Sequence, residues 1–183
     1  MKTNKNIPDL AAQLMAEMGR INMNIVVNAI GEDQDYFASL VKLVITGQHP
    51  VNMRAAWAMT ICLENHPEWI NPHLPALMKI LPLPAHPGIR RCILRSLLDT
   101  EPAARWDGYL MQHCFDWLLS PSETIATKAY SMQILYRISK RHPDIRHELA
   151  EAIETLIPDG SAGLKSCGQK ILKQLNRDRK TQS

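Results

Sequence analysis

Apolar residues recur at spacings of three and four along most of this chain, and short segments rich in proline and glycine interrupt them. That spacing places the apolar side chains on one face of an α-helix. No segment alternates apolar and polar residues convincingly enough to indicate a half-buried strand. The pattern therefore predicts an all-α chain in which the interruptions separate successive helices.

Proline and glycine mark the ends of these helices, because proline disfavours helical geometry in the residue before it and glycine tolerates the conformations that end a helix. Pro102 is expected to open a long helix, whereas Pro75 is expected to distort the interior of a shorter one. Glu32 and Asp33 favour the first turn of a third helix. The predicted helices cover residues 8–18, 21–30, 32–45, 50–65, 71–81, 88–99, 102–119, 120–142, 145–157 and 161–176.

Four of the predicted helices contain related segments, each with a basic residue at the equivalent position. These residues are Arg54, Arg90, Lys128 and Lys165, which lie 36, 38 and 37 residues apart. A sustained period of this size is typical of stacked helical repeats, since a single repeat cannot bury its own apolar face. We predict a single solenoid domain, 1–183, of about five antiparallel helix pairs. The polar segment 1–6 and the basic tail 177–183 are expected to be flexible.

The recurring segments resemble the second helix of a HEAT repeat, whose core reads Val-Arg-x-x-Ala-x-x-x-Leu. Residues 53–57 carry this core, and residues 89–94 carry it more weakly. The resemblance covers roughly residues 20–176. It implies a HEAT-like α–α superhelix that binds proteins or nucleic acids along a concave surface.

The chain is similar, more closely still, to a group of small bacterial HEAT-like proteins to which no activity is attached. This similarity concerns the fold and implies no particular chemistry. The matching segments are residues 54–57, 131–135, 160–163 and 168–172.

The composition is that of a soluble globular protein, with 45% hydrophobic and 21% charged residues. No apolar run approaches the roughly 20 residues needed to cross a bilayer. The N-terminus is polar and lacks the apolar stretch of a signal peptide, so a cytoplasmic location is expected. The cysteines form no Cys-x-x-Cys pair, which favours reduced, buried thiols over a metal or redox site. They are Cys62, Cys92, Cys114 and Cys167.

The net charge of +3 does not by itself imply a nucleic-acid partner. The basic residues are unevenly distributed, because six of them against the single acid Asp178 follow residue 161. This segment is interpreted either as a docking patch or as the solvated end of the solenoid, whose last repeat needs a polar outer face. The second interpretation is favoured.

No catalytic pattern is visible in the chain. His-Glu-x-x-His, Gly-x-Ser-x-Gly and a glycine-rich phosphate loop are all absent from the sequence. We therefore expect a protein that is not an enzyme, with no catalytic residue, no metal and no small-molecule cofactor.

Stacking of equivalent positions predicts a basic row formed by the four period-related residues with Arg91 beside them. This row has two interpretations. HEAT arginines at this position pair with acids of the adjacent repeat, which is the favoured interpretation, or the row binds phosphates or an acidic ligand. Trp57 shares a helix face with Arg54, where it either stacks a base or cation or, as we favour, belongs to the core.

Two functional hypotheses follow. The first is a HEAT-type interaction module that binds a protein partner on a concave helical surface. The alternative is a nucleic-acid-binding HEAT-like protein related to DNA alkylation repair glycosylases. Those enzymes add an acid to such a basic and aromatic surface, and no acid is clearly placed beside Arg54 and Trp57. Neither hypothesis involves a membrane.

Overall fold

The computed structural model describes residues 7–82, 86–100 and 102–181. Within these residues it contains ten α-helices, three short 3-10 segments and no strand, so the all-α prediction is confirmed. Taken in chain order, the ten helices alternate as first and second helices of five successive repeats. They are α1 (Ile7–Ala16), α2 (Arg20–Ile30), α3 (Gln34–Thr46), α4 (Val51–Asn65), α5 (Leu74–Ile80), α6 (Pro87–Asp99), α7 (Asp107–Leu119), α8 (Ile125–Ile138), α9 (Arg146–Leu156) and α10 (Ala162–Thr181).

Local sequence signals set most of the helix ends. Gly31 follows α2 with a φ of 51°, in the left-handed region that glycine adopts without a steric cost. Asp33 precedes α3, and its carboxylate accepts a hydrogen bond of 3.0 Å from the Tyr36 amide. Thr124 precedes α8 and accepts from the Thr127 amide at 3.2 Å. Such caps satisfy amides that the helix itself leaves without acceptors.

Three predicted helices begin later than expected. Helix α8, predicted over 120–142, begins at Ile125 after a turn and ends at Ile138. In the other two helices, prolines favour a tighter turn first. Pro67–His73 and Ala104–Trp106 are 3-10 segments, so α5 begins at Leu74 and α7 begins at Asp107 rather than at Pro102. Pro75 consequently lies in the first turn of α5, where a missing amide removes no helical hydrogen bond. The distortion expected inside that helix was a wrong prediction.

The last helix is longer than predicted. It was expected to end at Asn176, but α10 continues to Thr181, so most of the tail predicted to be flexible is helical. Asp178 Oδ2 accepts hydrogen bonds from Tyr136 Oη at 3.1 Å and Lys140 Nζ at 2.6 Å, which fixes these final turns to α8. The predicted flexible segment 1–6 and residues 182–183 lie outside the described residues.

The contacts divide the chain into two compact units, Met1–Glu101 and Pro102–Ser183. In the first unit, α4 packs against α1, α2, α3 and α6. Its Ala55, Ala56 and Ala58 are fully buried, and their small side chains let neighbouring backbones approach closely. Helix α4 is therefore the centre of this unit.

In the second unit, α8 packs against α7, α9 and α10, and α9 also packs against α10. The approach of α9 and α10 requires a glycine at position 168. A Cβ atom on Gly168 would lie 2.8 Å from Ile153 Cγ2 and 3.3 Å from Ile157, which is closer than real Cβ atoms pack. The two helices therefore face each other through this apolar seam.

A buried carboxylate joins the start of α7 to the segment after α8. Asp107 is 2% exposed and accepts from Arg141 Nη2 at 2.6 Å, Arg141 Nε at 2.8 Å and His142 Nε2 at 3.0 Å. The hydrogen bonds from Arg141 lower the pKa of Asp107 below its ordinary value. This cluster stabilises the second unit wherever the carboxylate is ionised.

We expect Asp107→Asn to lower the free energy of unfolding by about 2 kcal/mol at neutral pH, because a charge-assisted pair loses its buried partner. The pKa of Asp107 is lower in the folded protein than in the unfolded protein. The stabilisation is therefore present above the pKa of Asp107 in the unfolded protein, and it is lost as the pH falls through the pKa of Asp107 in the folded protein. The difference from wild type should therefore shrink below about pH 4. Urea unfolding across pH measures it. Asp116→Asn, on the exposed side of α7, is the control and should change little.

Candidate functional site

The first unit contains an open groove on its second helices α2, α4 and α6, with a cavity volume of about 210 Å³. Helix α4 forms its floor, the α1–α2 connection and α2 form one wall, and α6 forms the other. We call this feature the groove. Its lining residues are Met18, Gly19, Met23, Met53, Arg54, Trp57, Gly88, Arg91 and Cys92.

The periodicity of α4 places its groove residues on one strip. Met53 and Trp57 are four residues apart and therefore share a face, and Arg54 lies beside them. All three are half-buried, whereas Ala55 and Ala58 are fully buried against neighbouring helices. Neighbouring helices cover the alanine faces of α4 and leave this strip partly accessible.

The groove surface is mainly apolar and adaptable. Met18, Met23 and Met53 contribute three flexible thioether side chains, and Trp57 contributes a large ring. Met18 is 82% exposed, so part of this apolar surface is in contact with solvent. Methionine side chains adapt to ligands of different shape. The arrangement suits an apolar side chain supplied by another molecule.

Gly88 leaves space on one wall of the groove because it has no side chain. A Cβ atom on Gly88 would lie 3.2 Å from Met53 Cγ and 2.9 Å from His86 Nδ1. The His86 ring nitrogen already accepts a hydrogen bond of 3.0 Å from the Gly88 amide. A larger residue at this position would therefore displace groove side chains.

The thiol in the groove is not an activated nucleophile. Cys92 is buried, and burial raises the pKa of its thiol, which keeps the thiol neutral at physiological pH. Burial also raises the pKa of Cys62 and of Cys114 to about 12. All four cysteines are free, as the sequence predicted, although Cys167 is only half-buried.

Two arginines of the expected basic row close the ends of neighbouring helices. Arg54 Nη1 donates to Leu14 O at 2.9 Å and to Glu17 O at 3.4 Å, at the end of α1. These carbonyls lack partners within their own helix, and a cation there also meets the negative end of the helix dipole.

Arg90 makes the equivalent contacts one repeat later. Its Nε donates to Leu81 O at 3.2 Å and its Nη2 donates to Pro82 O at 3.1 Å, just after α5. The structural interpretation expected acids of the adjacent repeat as partners. The acceptors that the structure describes for these two arginines are main-chain carbonyls instead.

The remaining members of the expected row lie in different places. Arg91 is exposed and lines the groove. Lys128 lies on α8 beside a shallow depression of about 330 Å³ that also includes Glu123 and Asp159, and Lys165 is half-buried on α10. Since the two lysines belong to the second unit, a continuous row remains a prediction. The groove brings together Arg54, Arg91 and Trp57.

Sequence reasoning did not select the methionines, Gly88 or Cys92 as site residues. One signal was available for Met53, which precedes Trp57 by four residues on the same helix face. No local signal identifies Met18 and Met23, because they reach the groove through the packing of α2 on α4.

A family model of the HEAT repeat domain matches residues 10–175. The chain belongs to the HEAT-repeat family. This confirms the resemblance recognised in the recurring segments and the helical-repeat fold. No curated protein and no solved structure gave a match.

Among the described residues of this HEAT protein, no helix is both long and apolar enough to span a bilayer. In the same part of the chain, no group of three His, Cys, Asp or Glu side chains could hold a metal ion.

Truncation of the adjacent arginines Arg90 and Arg91 of α6 should change the free energy of unfolding by different amounts. We expect Arg90→Ala to lower the free energy of unfolding by about 1 to 2 kcal/mol, since its removal leaves half-buried carbonyls without a donor. Arg91→Ala, the matched control, should change it by less than about 0.5 kcal/mol, because Arg91 is exposed. Urea unfolding of both variants measures the difference. Equal losses would contradict the structural role of Arg90.

Proposed function

We propose that this HEAT-repeat protein is a non-enzymatic interaction module that binds a segment of a partner protein in the groove. The observation that carries the proposal is an apolar concavity with a highly exposed methionine, Met18, and an exposed cation, Arg91, at its edge. Exposed apolar surface rimmed by polar groups is typical of interaction sites. The four free cysteines favour the cytoplasm as the location.

The dimensions of the groove support a side chain as its ligand. A cavity of about 210 Å³ is smaller than the roughly 300 to 1,000 Å³ of typical small-molecule sites. One large apolar side chain, such as leucine or phenylalanine, is a closer match. Burial of such an anchor against Met53 and Trp57 would supply most of the binding free energy.

The charges at the groove edge favour an acid near that anchor. Arg91 is exposed and offers a planar set of donors that matches a carboxylate. Arg54 is already engaged with carbonyls of α1 and adds positive potential rather than a free ligand. The proposed partner segment therefore combines an apolar anchor with a neighbouring acidic residue.

The alternative is a nucleic-acid binder related to DNA alkylation repair glycosylases, with a base stacked on Trp57. Among the residues that the structure describes, those that line the groove include no acid. Two arginines of the basic row, Arg54 and Arg90, donate to main-chain carbonyls. These observations favour the protein partner at this site.

The test begins with affinity capture of the tagged protein from its native cells, with and without nuclease, followed by mass spectrometry. The dissociation constant of the purified partner is then measured with two groove variants, Met18→Glu and Arg91→Glu. We expect each to weaken binding by at least about tenfold, because one removes apolar contact and the other reverses the edge charge. Both side chains are exposed, so the fold should be unaffected.

The matched controls are Leu119→Glu and Lys42→Glu, which make the same chemical changes at exposed positions outside the groove. They should bind the partner like wild type. Equal effects in the groove and control variants would contradict the proposal. A partner that is recovered only without nuclease, and whose recovery the groove variants reduce, would favour the nucleic-acid alternative.

A further inference from the structure

Helix α10 carries a basic stripe formed by Lys170, Lys173, Arg177 and Lys180. Their spacings of three, four and three residues place them on one face of the helix. All four side chains are exposed. The helix rise of 1.5 Å per residue gives the stripe a length of roughly 15 Å. We use the term basic stripe for these four residues.

The single acid of α10 does not neutralise the stripe. Asp178 Oδ2 accepts hydrogen bonds from Lys140 and Tyr136 of the α8 region. The Lys140 ammonium also lies 4.5 Å from the centre of the Tyr136 ring. The hydrogen bond from Lys140 lowers the pKa of Asp178, so the carboxylate stays ionised and paired within the unit.

Most helical charges of the second unit are sorted by helix, and Arg146 on α9 and Asp178 on α10 are the exceptions. Helix α8 contains Lys128 and Arg137 and no acid, whereas α7 contains two acids and no lysine or arginine. Helix α9 carries three exposed acids, which recur every three residues. They are Glu148, Glu151 and Glu154. The second helices of these repeats are therefore basic, and the first helices are predominantly acidic.

The acids of α9 and the basic stripe belong to different helices. Helices α9 and α10 pack through Ile153 and Gly168, and the three acids on one helix and the stripe residues on the other are all exposed. A surface that served only solubility would mix both signs of charge. The observed separation instead gives one surface of the unit a sustained positive potential.

We propose that the basic stripe binds the phosphate backbone of a nucleic acid, independently of base sequence. Lysine is depleted in protein–protein interfaces, whereas lysine and arginine supply most phosphate contacts. Apart from the stripe itself, the exposed residues of α10 from Lys170 to Lys180 are Asn176 and Arg179, and no large apolar side chain is exposed there. This surface therefore lacks an anchor for a protein segment and an apolar face that could enter a lipid surface.

The proposal goes beyond the groove, because it concerns different residues, a different unit and a different class of partner. Phosphate contacts from the three lysines of the stripe predict that log K falls with log salt concentration with a slope of about −2.7. The absolute affinity should be that of non-specific binding, with a dissociation constant on the order of 10⁻⁶ to 10⁻⁴ M.

The experiment measures fluorescence anisotropy of a labelled random-sequence duplex DNA with the full-length protein, between about 50 and 200 mM NaCl. The stripe variant is Lys170→Gln with Lys173→Gln and Lys180→Gln. We expect at least tenfold weaker binding at low salt and a slope reduced by about 2.7. The matched control is Lys42→Gln with Lys79→Gln and Arg105→Gln, which removes the same charge from exposed positions elsewhere and should bind like wild type.

Several outcomes would overturn the proposal: no binding by the wild-type protein at low salt, an unchanged slope in the stripe variant, or equal losses in the stripe and control variants. Binding of polyglutamate or of phosphatidylserine vesicles as tightly as the duplex would also overturn it, in favour of an acidic protein or a membrane. The single substitutions provide a second measurement, since each should reduce the slope by about 0.9. Loss of duplex binding with normal binding of a groove partner would separate the two surfaces.

Discussion

Close packing around α4 is the constraint on which the first unit depends. This helix contacts four others, and they can approach it together because Ala55, Ala56 and Ala58 extend little beyond the backbone. A larger side chain at any of these positions would separate the repeats and change the wall of the groove. The same packing leaves Met53 and Trp57 on a strip that stays partly exposed. The candidate site is thus a direct consequence of how the core is built.

The helix ends explain why α4 and α6 carry an arginine at an equivalent position. Helices α1 and α5 end with carbonyls that their own backbone cannot satisfy, and Arg54 and Arg90 donate to them. A residue one position further along a helix points about 100° away, since a turn takes 3.6 residues. Arg91 consequently faces the groove and solvent. Neighbouring arginines of identical chemistry are thereby placed in different surroundings, Arg90 at main-chain carbonyls and Arg91 in the groove.

The acids of the second unit fall into two groups, those paired with cations of the unit and those exposed on α9. Asp107 and Asp178 are held by cations of their own unit, so their charges are compensated internally. The acids of α9 remain exposed, as do the residues of the basic stripe of α10. Because Asp107 and Asp178 are paired with cations, the exposed charged residues of α9 and α10 determine the surface potential of the unit. A HEAT module built this way can present an apolar groove in one unit and a cationic surface in the other without a change of fold.

The sequence by itself determined the all-α class, the repeat and most helix boundaries, because helical periodicity and the effects of proline and glycine act over a few residues. It placed the starts of α5, α7 and α8 too early, since a proline is compatible both with a turn that precedes a helix and with the first turn of an α-helix. It also identified Arg54, Trp57 and Arg91, which share two neighbouring helices. Only the tertiary structure decided that Met18 joins them and that Arg90 is committed to carbonyls. Such assignments depend on which helix faces meet, and that is set by packing between residues far apart in the chain.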